Sequence, residues 1–279
     1  MPQCRDADRV ARHTYALRAS GYTVLRGEFS AEQVAELAEC ADRAIATAQS
    51  VVEAGGKLEH FAGSRYYQGA RCLYCWGEPC VSLLDHESVH ALAAEMMGYY
   101  QLWDLGALSA LPTPAEHESI GWHRDFGDSV ALGSSRPGHL WFFVCLDDVT
   151  AENGATWVVP GSHHFPLSRQ PACSPKNLDA FPSRVQPCAG AGDIIVLDPM
   201  AIHSVGHNRS LRPRRLLNIG ICHKDIAPIV DHWAISAPLH AAFSPRVRKL
   251  MGEDRKMLDQ SWSALPAGWQ TRQDSCVIS

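Results

Sequence analysis

The stretch Ser119-Ile-Gly-Trp-His-Arg-Asp-Phe126 contains a His-x-Asp pattern, His123-Arg124-Asp125. Side chains two residues apart project from the same face of an extended segment, so His123 and Asp125 are expected to point together and Arg124 away from them. One imidazole and one carboxylate form part of a facial non-haem iron site, which needs a second histidine from elsewhere in the fold. Because the chain has 14 histidines, about one such pattern arises by chance, and its surroundings must decide its meaning.

A second copy of the pattern is His223-Lys224-Asp225. It follows the last clear strand pattern of the chain, so no later strand remains to carry a third ligand back to it. His232 is the only later histidine that lies close by in the sequence. We therefore predict that this copy is an ordinary surface pair.

The first copy has a favoured third ligand in His203, which follows the buried-type strand Asp193-Ile-Ile-Val-Leu197. His163, His164 and His207 lie in turns next to glycine, and any one of these histidines could be a hydrogen-bonded structural residue. A neutral imidazole on a strand can face a cavity, and two histidines with one carboxylate leave open positions on Fe(II).

Arg214 and Arg215 stand at the head of the apolar strand that continues to Ile221. An arginine that points into a barrel needs an anion to offset its desolvation, and its planar fork pairs well with a carboxylate. A dicarboxylic cosubstrate is such an anion. The alternative is that both side chains extend to water, and the sequence leaves the two alternatives open.

Short apolar runs separated by Gly, Pro, Asn and Asp predict an antiparallel β structure after Tyr99. Helical periodicity predicts flanking helices before it, and the region from Gly55 to Gly77 is predicted to be loop. The predicted strands are Tyr22–Leu25, Trp103–Ala110, Ile120–Phe126, Leu140–Leu146, Ala155–Val159, Asp193–Leu197, His203–Val205 and Arg215–Ile221. The predicted helices are Asp6–Arg18, one capped by Ser30 that runs to about Glu53, Val81–Gly98 and Arg246–Met251.

This pattern predicts a mainly β fold with flanking helices, either a sandwich or a barrel. No linker interrupts the chain, so we predict a single domain over residues 1–279. It would consist of a helical N-terminal part over about 1–98, a β core over about 99–225 and a C-terminal extension over 226–279.

Composition limits the partners that we expect. The net charge of -5 and the absence of a Lys/Arg run argue against nucleic acid. No stretch approaches the roughly 20 apolar residues of a membrane span, and the first residues lack the apolar core of a secretory signal. We expect a cytoplasmic protein that acts on a small molecule without a membrane or nucleic-acid partner, and the oligomeric state stays open.

Ten cysteines are present, and Cys72, Cys75 and Cys80 cluster in the sequence. Without a secretory signal, reduced thiols are the expectation. A zinc site or a redox pair is the minor alternative, because no second closely spaced pair completes a zinc ligand set.

Aromatic side chains cluster just before the β region, and Tyr67, Tyr74 and Trp76 are candidate substrate residues. They would line a pocket for a small apolar metabolite. Ordinary packing of aromatic residues along a loop is an equal alternative.

These features together resemble the phytanoyl-CoA dioxygenase family of Fe(II)/2-oxoglutarate-dependent oxygenases. The resemblance runs in family order over roughly residues 20–225, and the order and spacing of the motifs are specific. The matching stretches are Gly21–Leu25 with Ser30–Val34, Trp122–Asp125, Leu146–Gly154, Val159–His163, Ala191–Asp193, His203–Arg214 and Phe243–Gly252.

The resemblance implies a double-stranded β-helix (cupin, jelly-roll) barrel that binds Fe(II) through His123, Asp125 and His203. It implies 2-oxoglutarate as cosubstrate with O2, Arg214 at the distal carboxylate, Arg215 as second choice, and Thr156 as a cosubstrate contact. Val205 and Gly121 depart from residues that are Ser and Gln in other members.

The resemblance also implies oxygenation rather than halogenation, since related halogenases have a small residue in place of Asp125. Hydroxylation of an unactivated C–H bond, in natural-product biosynthesis, is the expected reaction. Desaturation, cyclisation and peroxide formation use the same iron chemistry, and a non-catalytic cupin-like binding protein is the alternative of a different class.

Overall fold

The computed structural model describes residues 2–56, 66–114, 121–125, 138–165 and 181–254 of the chain. Helices flank the strands in the sequence and cover one face of the larger sheet. The helices are α1 (Pro2–Ser20), α2 (Ala31–Glu53), α3 (Glu78–Leu83), α4 (Glu87–Met97), α5 (His232–Ile235) and α6 (Pro245–Met251). The strands are β1 (Tyr22–Leu25), β2 (Tyr67–Arg71), β3 (Tyr100–Ala110), β4 (His139–Cys145), β5 (Trp157–Val158), β6 (Ile194–Leu197), β7 (His203–Ser204) and β8 (Arg214–His223).

Six of these strands form one antiparallel sheet in the order β1-β6-β4-β8-β3-β2. The strands β5 and β7 pair in a second, smaller sheet. Isolated bridges extend the smaller sheet, because His123 pairs with His203 and Val158 pairs with Val185. The predicted mainly antiparallel β structure with flanking helices is confirmed.

Side chains along β8 alternate between the two faces of the six-stranded sheet. Leu217, Ile219 and Ile221 are fully buried in the core that the sheet shares with the helices. Arg214 and Leu216 lie on the opposite face, which we call the inner face, where they line a cavity. Residues two apart share a face of a strand, so Asn218 and Gly220 also lie on the inner face.

The helix α2 begins as the sequence predicts. Ser30 accepts a hydrogen bond from the Gln33 amide, and the Gln33 side chain accepts one from the Ser30 amide. This capping box satisfies amides that the first helical turn leaves unpaired. The buried side of α2, which includes Leu37, Ala41 and Ile45, belongs to the core shared with the six-stranded sheet.

Two local predictions are wrong. The predicted loop from Gly55 to Gly77 contains β2 and a 3-10 helix, Leu73–Trp76, because β3 offers β2 a pairing edge that no local sequence pattern announces. The predicted helix Val81–Gly98 is broken between α3 and α4. Arg246 hydrogen-bonds both the carbonyl and the carboxylate of Asp85 at 2.6 Å, and His86 is extended.

The predicted strand Ile120–Phe126 is described only over residues 121–125, where His123 forms a bridge. The strand Tyr22–Leu25 is present as predicted, and the remaining predicted strands are present with shifted ends. Of the predicted C-terminal extension, residues 255–279 lie outside the described part. No helix within the described ranges is long and apolar enough to span a membrane.

Candidate metal centre

Three side chains converge between the two sheets. The Nε2 atoms of His123 and His203 each lie 3.4 Å from Oδ1 of Asp125. Ligand atoms from the three residues all lie within 4.8 Å of one another, and no other such group of His, Cys, Asp or Glu occurs among the described residues. Neighbouring ligands on one ion lie about 3 Å apart when metal–ligand bonds of about 2.1 Å meet at right angles. The arrangement is therefore suited to one bound cation.

Backbone pairing brings the two histidines together although they are far apart in the sequence. The His123 amide donates to the His203 carbonyl at 2.9 Å, and the His203 amide donates to the His123 carbonyl at 3.0 Å. The ring centroids are 4.3 Å apart. Antiparallel pairing of this kind places directly opposed side chains side by side on one face.

Each imidazole is also fixed in orientation. Nδ1 of His123 donates to the Gly121 carbonyl at 3.0 Å, and Nδ1 of His203 donates to the Ala201 carbonyl at 2.8 Å. A carbonyl only accepts hydrogen bonds, so Nδ1 carries the proton in both rings. Nε2 is therefore the nitrogen that faces Asp125, and in the neutral ring its lone pair can bind a cation.

The carboxylate of Asp125 is held from both sides. Its Oδ2 accepts a 2.7 Å hydrogen bond from Nε1 of Trp141, which leaves Oδ1 facing the two histidines. Burial raises the pKa of Asp125, but the charge of His203 and hydrogen bonds from both histidines lower it further, so the pKa lies well below its usual value. Asp125 is thus an anion at neutral pH and can bind a cation.

Arg124, between the two ligands, points away from the site as predicted. It is only 5% exposed, and its guanidinium donates to the carbonyl oxygens of Ser162 at 2.9 Å and Phe165 at 3.3 Å. The hydroxyl of Ser162 in turn accepts the amide hydrogen of Ile202 at 2.7 Å. These contacts, which we call the Arg124–Ser162 clamp, join the segment of His123 and Asp125 to the residue before His203.

A cavity between the sheets contains the predicted Arg214 and Thr156. Residues from both sheets line it, namely Phe143, Val149, Thr156, Val158, Pro187, Ile195, Leu197, Arg214 and Leu216. Arg214 is 3% exposed and donates to the carbonyls of Asn153 and Gly154, at 3.4 Å and 3.1 Å. Burial lowers its pKa, and no carboxylate in the described part of the chain forms an ion pair with it.

Arg215 lies on the other face of β8. Its guanidinium forms ion pairs with Asp147 and Asp42, each at 2.8 Å. The strand phase that the sequence left undetermined is thereby fixed, with Arg214 toward the cavity and Arg215 away from it.

The three candidate substrate residues lie in two different parts of the fold. Tyr67 lies opposite Ala110, which in turn pairs with Arg214, so Tyr67 is on the inner face near that arginine. Tyr74 is 1% exposed in the core on the helix side, where its hydroxyl hydrogen-bonds Nδ1 of His232 at 2.9 Å. Trp76 packs against the same core. The structure therefore does not bring Tyr74 and Trp76 to the metal centre.

The clustered cysteines are not among the groups of three potential metal ligands in the described part of the chain. Cys72, Cys75 and Cys80 are free thiols, and only Cys80 is deeply buried, beside Cys40. Burial raises the pKa of Cys72 to about 11, which disfavours the thiolate that zinc binds. The expectation of reduced thiols agrees with this arrangement.

Sequence reasoning missed Trp141 and Ser162 as members of the site. Trp141 lies inside a predicted strand, but only the fold shows that its ring reaches Asp125. Ser162 belongs to the stretch Val159–His163, which the sequence marks as a turn. The contact of its hydroxyl with the Ile202 amide depends on the fold.

The donor set of two imidazoles and one carboxylate is the kind that non-haem Fe(II) oxygenases use. Residues 17–216 match the family model described as phytanoyl-CoA dioxygenase (PhyH). The chain belongs to the phytanoyl-CoA dioxygenase family.

Several characterised proteins are similar to the chain. Dioxygenase andF of Emericella variicolor is 29% identical over 185 residues, which cover 61% of this chain and 59% of that protein. The chain thus spans little more than half the length of that relative. Multifunctional dioxygenase prhA of Penicillium brasilianum is 25% identical over 270 residues, which cover 90% of this chain and 84% of that protein.

Among solved structures, the chain is similar in fold to the epimerase SnoN in complex with Fe3+, alpha ketoglutarate and nogalamycin RO. The TM-score is 0.58 at 23% sequence identity, with 78% of this chain and 84% of that chain covered.

Proposed function

We propose that the protein is an Fe(II)/2-oxoglutarate-dependent dioxygenase, an oxidoreductase that binds Fe(II) through His123, Asp125 and His203. The observation that carries the proposal is the convergence of two imidazole Nε2 atoms and one ionised carboxylate. Family membership supports it, because a dioxygenase gives the family its name.

The donor set fits Fe(II). Three protein ligands on one side of an ion leave positions for other molecules, as in the facial triads of non-haem iron enzymes. The Nδ1 hydrogen bonds and the Trp141 contact supply the outer interactions that hold such ligands in place.

The residues that line the cavity suit 2-oxoglutarate in their chemistry. Arg214 is a buried cation without a described carboxylate partner, and its guanidinium can accept a carboxylate with two parallel hydrogen bonds. Thr156 lines the same cavity and offers a hydroxyl. We assign Arg214 to the distal carboxylate of the cosubstrate and Thr156 to a second contact, while Arg215 has no part.

Bound Fe(II) with 2-oxoglutarate and O2 supplies the oxidising chemistry, in which succinate and CO2 form and one oxygen atom is available to a C–H bond of the substrate. The residues of the chain orient the cosubstrate and the metal ligands and keep water out of the cavity. Arg214 fixes the cosubstrate, Trp141 holds the carboxylate of Asp125, and apolar side chains such as Phe143, Ile195 and Leu216 exclude water from the cavity.

The proposed substrate is a small organic metabolite that is hydroxylated at an unactivated C–H bond in natural-product biosynthesis. Relatives named as fungal dioxygenases, and a fold neighbour from nogalamycin biosynthesis, support this setting. Desaturation, cyclisation, peroxide formation or epimerisation would be other outcomes of the same iron chemistry.

We also infer that the two sheets close into a double-stranded β-helix barrel within a single domain. The cavity supports this inference, since Leu216 and Ile195 of the large sheet and Val158 of the small sheet line it together. The core that joins helices and large sheet supports a single unit.

Anaerobic reconstitution with Fe(II) and 2-oxoglutarate, followed by O2, tests the function. We expect succinate to form, even slowly and without substrate. Arg214→Met should raise the KM for 2-oxoglutarate about a hundredfold, as expected for loss of a bidentate charged contact, whereas Arg215→Met should change it little. Absence of succinate with and without candidate substrates would favour the non-catalytic binding protein.

A further inference from the structure

The inner face of the six-stranded sheet carries an aromatic group outside the cavity that we assign to the cosubstrate. Trp103, His139 and Trp141 form this group, which we call the aromatic wall. Trp103 meets His139 at 4.5 Å and 83°, and it meets Trp141 at 5.2 Å and 80°. Aromatic rings prefer such edge-to-face contacts, so the wall is a packed unit.

A glycine lets the two indoles lie directly on β8. Gly220 is opposite Asp104 on one side and Trp141 on the other. A Cβ atom at Gly220 would lie 2.9 Å from Cζ3 of Trp141 and 3.0 Å from Cε3 of Trp103. These separations are too short for carbon contacts, so any side chain here would displace the rings.

Trp103 is held in place by an irregularity in β3. The register with β8 shifts between Leu102 and Asp104, which places Trp103 at a bulge. Its carbonyl accepts hydrogen bonds from Nε2 of His232 at 2.9 Å and from the Ile229 amide at 3.2 Å. Bulges commonly re-aim a side chain next to active sites, and here the C-terminal segment stabilises the bulge.

The wall borders the metal centre on the side away from Arg214. Trp141 touches the centre directly, because its Nε1 donates to Asp125 at 2.7 Å. Arg214 lies six residues before Gly220 on the same strand, about 20 Å away. A five-carbon dicarboxylate bound at Arg214 is far shorter than this distance and leaves the wall uncovered.

The wall is accessible, and the charged residues described beside it are already engaged. Asp125 belongs to the metal centre. Trp103 and Trp141 are partly exposed. The neighbouring charged residues Arg71 and Asp104 form an ion pair at 2.7 Å, and Asp104 is 2% exposed. A charged substrate group would lose its hydration against the indoles, whereas an uncharged ring or branched hydrocarbon would bury apolar surface there.

We propose that the aromatic wall binds the organic substrate and that Gly220 and Trp103 determine which substrates fit, the substrate being an uncharged, mainly apolar molecule with a ring. This inference rests on the proposed function, because it takes the metal centre as the place of reaction. The predicted substrate loop contributes Tyr67 at most.

The test uses Prodan, a neutral naphthalene fluorophore, as the probe. The full chain is loaded with 2-oxoglutarate and either Co(II), a paramagnetic substitute for Fe(II), or Zn(II). We expect Prodan to bind and its emission to be quenched more in the Co(II) form, since the wall adjoins the metal. Trp103→Leu should weaken Prodan binding about fivefold without changing the affinity for Co(II), and Gly220→Ala should weaken Prodan binding at least as much.

Trp157→Leu is the matched control, because Trp157 packs in a separate cluster with Trp122 and Val159. Equal Prodan affinity in the wild type and in both wall variants, no Prodan binding, or equal quenching by the two metals would overturn the proposal. Metal and 2-oxoglutarate affinities are measured in the same samples. If neither the metal nor 2-oxoglutarate binds, the proposed function fails as well. If both bind normally but the wall variants leave Prodan binding unchanged, only the proposal about the aromatic wall is contradicted.

Discussion

Two copies of one pattern, His123-Arg124-Asp125 and His223-Lys224-Asp225, have very different surroundings in this protein. In each copy a histidine nitrogen lies near the aspartate carboxylate, at 3.4 Å in the first and 3.3 Å in the second. Spacing within the pattern therefore does not distinguish them. Among the residues that the structure describes, only the first copy has a third potential ligand, His203, within reach.

The residue between the ligands shows the difference most clearly. Arg124 is buried in the Arg124–Ser162 clamp, whereas Lys224 extends to Asp254 in an ion pair at 2.6 Å with both side chains partly exposed. The side chain of Asp225 is 78% exposed, compared with 27% for Asp125. A metal site therefore depends on the contacts that hold its ligands in place, and a local sequence motif alone does not provide them.

The largest effect expected from this comparison concerns the two aspartates. Asp125→Asn should reduce succinate formation from 2-oxoglutarate at least about a hundredfold, because the site loses its only described anionic ligand. Asp225→Asn should leave the rate unchanged. Anaerobically loaded protein is mixed with O2 and succinate is measured. Equal rates in the two variants would remove the distinction between the copies.

The second prediction compares the two central residues. Arg124→Met should weaken Co(II) binding about tenfold and lower the free energy of unfolding by about 2 kcal/mol, since buried carbonyls of Ser162 and Phe165 lose their donor. Lys224→Met should cost less than about 1 kcal/mol, as expected for an exposed ion pair. Calorimetric titration measures the Co(II) affinity of each variant, and urea unfolding measures its free energy of unfolding. Unchanged Co(II) affinity in Arg124→Met would show that the clamp does not position the ligands.

A smaller effect is expected at Trp141, whose contact with Asp125 has no counterpart at the exposed Asp225 in the described part of the chain. Trp141→Phe keeps the ring but removes the hydrogen bond to Asp125, and Co(II) affinity should fall about fivefold. Trp157→Phe serves as the control for loss of an indole. If both variants bind Co(II) as the wild type does, the hydrogen bond has no role in holding the carboxylate.

Much of the fold and of the candidate site could be predicted from the sequence, and the predictions that were wrong have physical causes. The apolar run that follows Arg215 predicted a strand, but only pairing in the sheet decides that Arg214 faces the cavity and Arg215 faces Asp147. Convergence of His123, Asp125 and His203 was predictable from their order and chemistry.

Contacts between distant segments were the part that the sequence did not reveal. The strand β2 forms because β3 pairs with it, and its own residues carry no strong strand pattern. Tyr74 was a candidate for the substrate because it is aromatic and near a loop, yet it is bound to His232, which is far away in the sequence. The contact of Trp141 with Asp125 likewise joins two segments that the sequence alone does not bring together.

The most direct test of the central claim is an anaerobic titration of Fe(II) in the presence of 2-oxoglutarate, followed by the visible charge-transfer absorption of the chelate. It compares the wild type with His123→Ala and His223→Ala. We predict one Fe(II) per chain with the absorption band in the wild type and in His223→Ala, and no band in His123→Ala. A band that persists in His123→Ala, or that disappears in His223→Ala, would contradict the account.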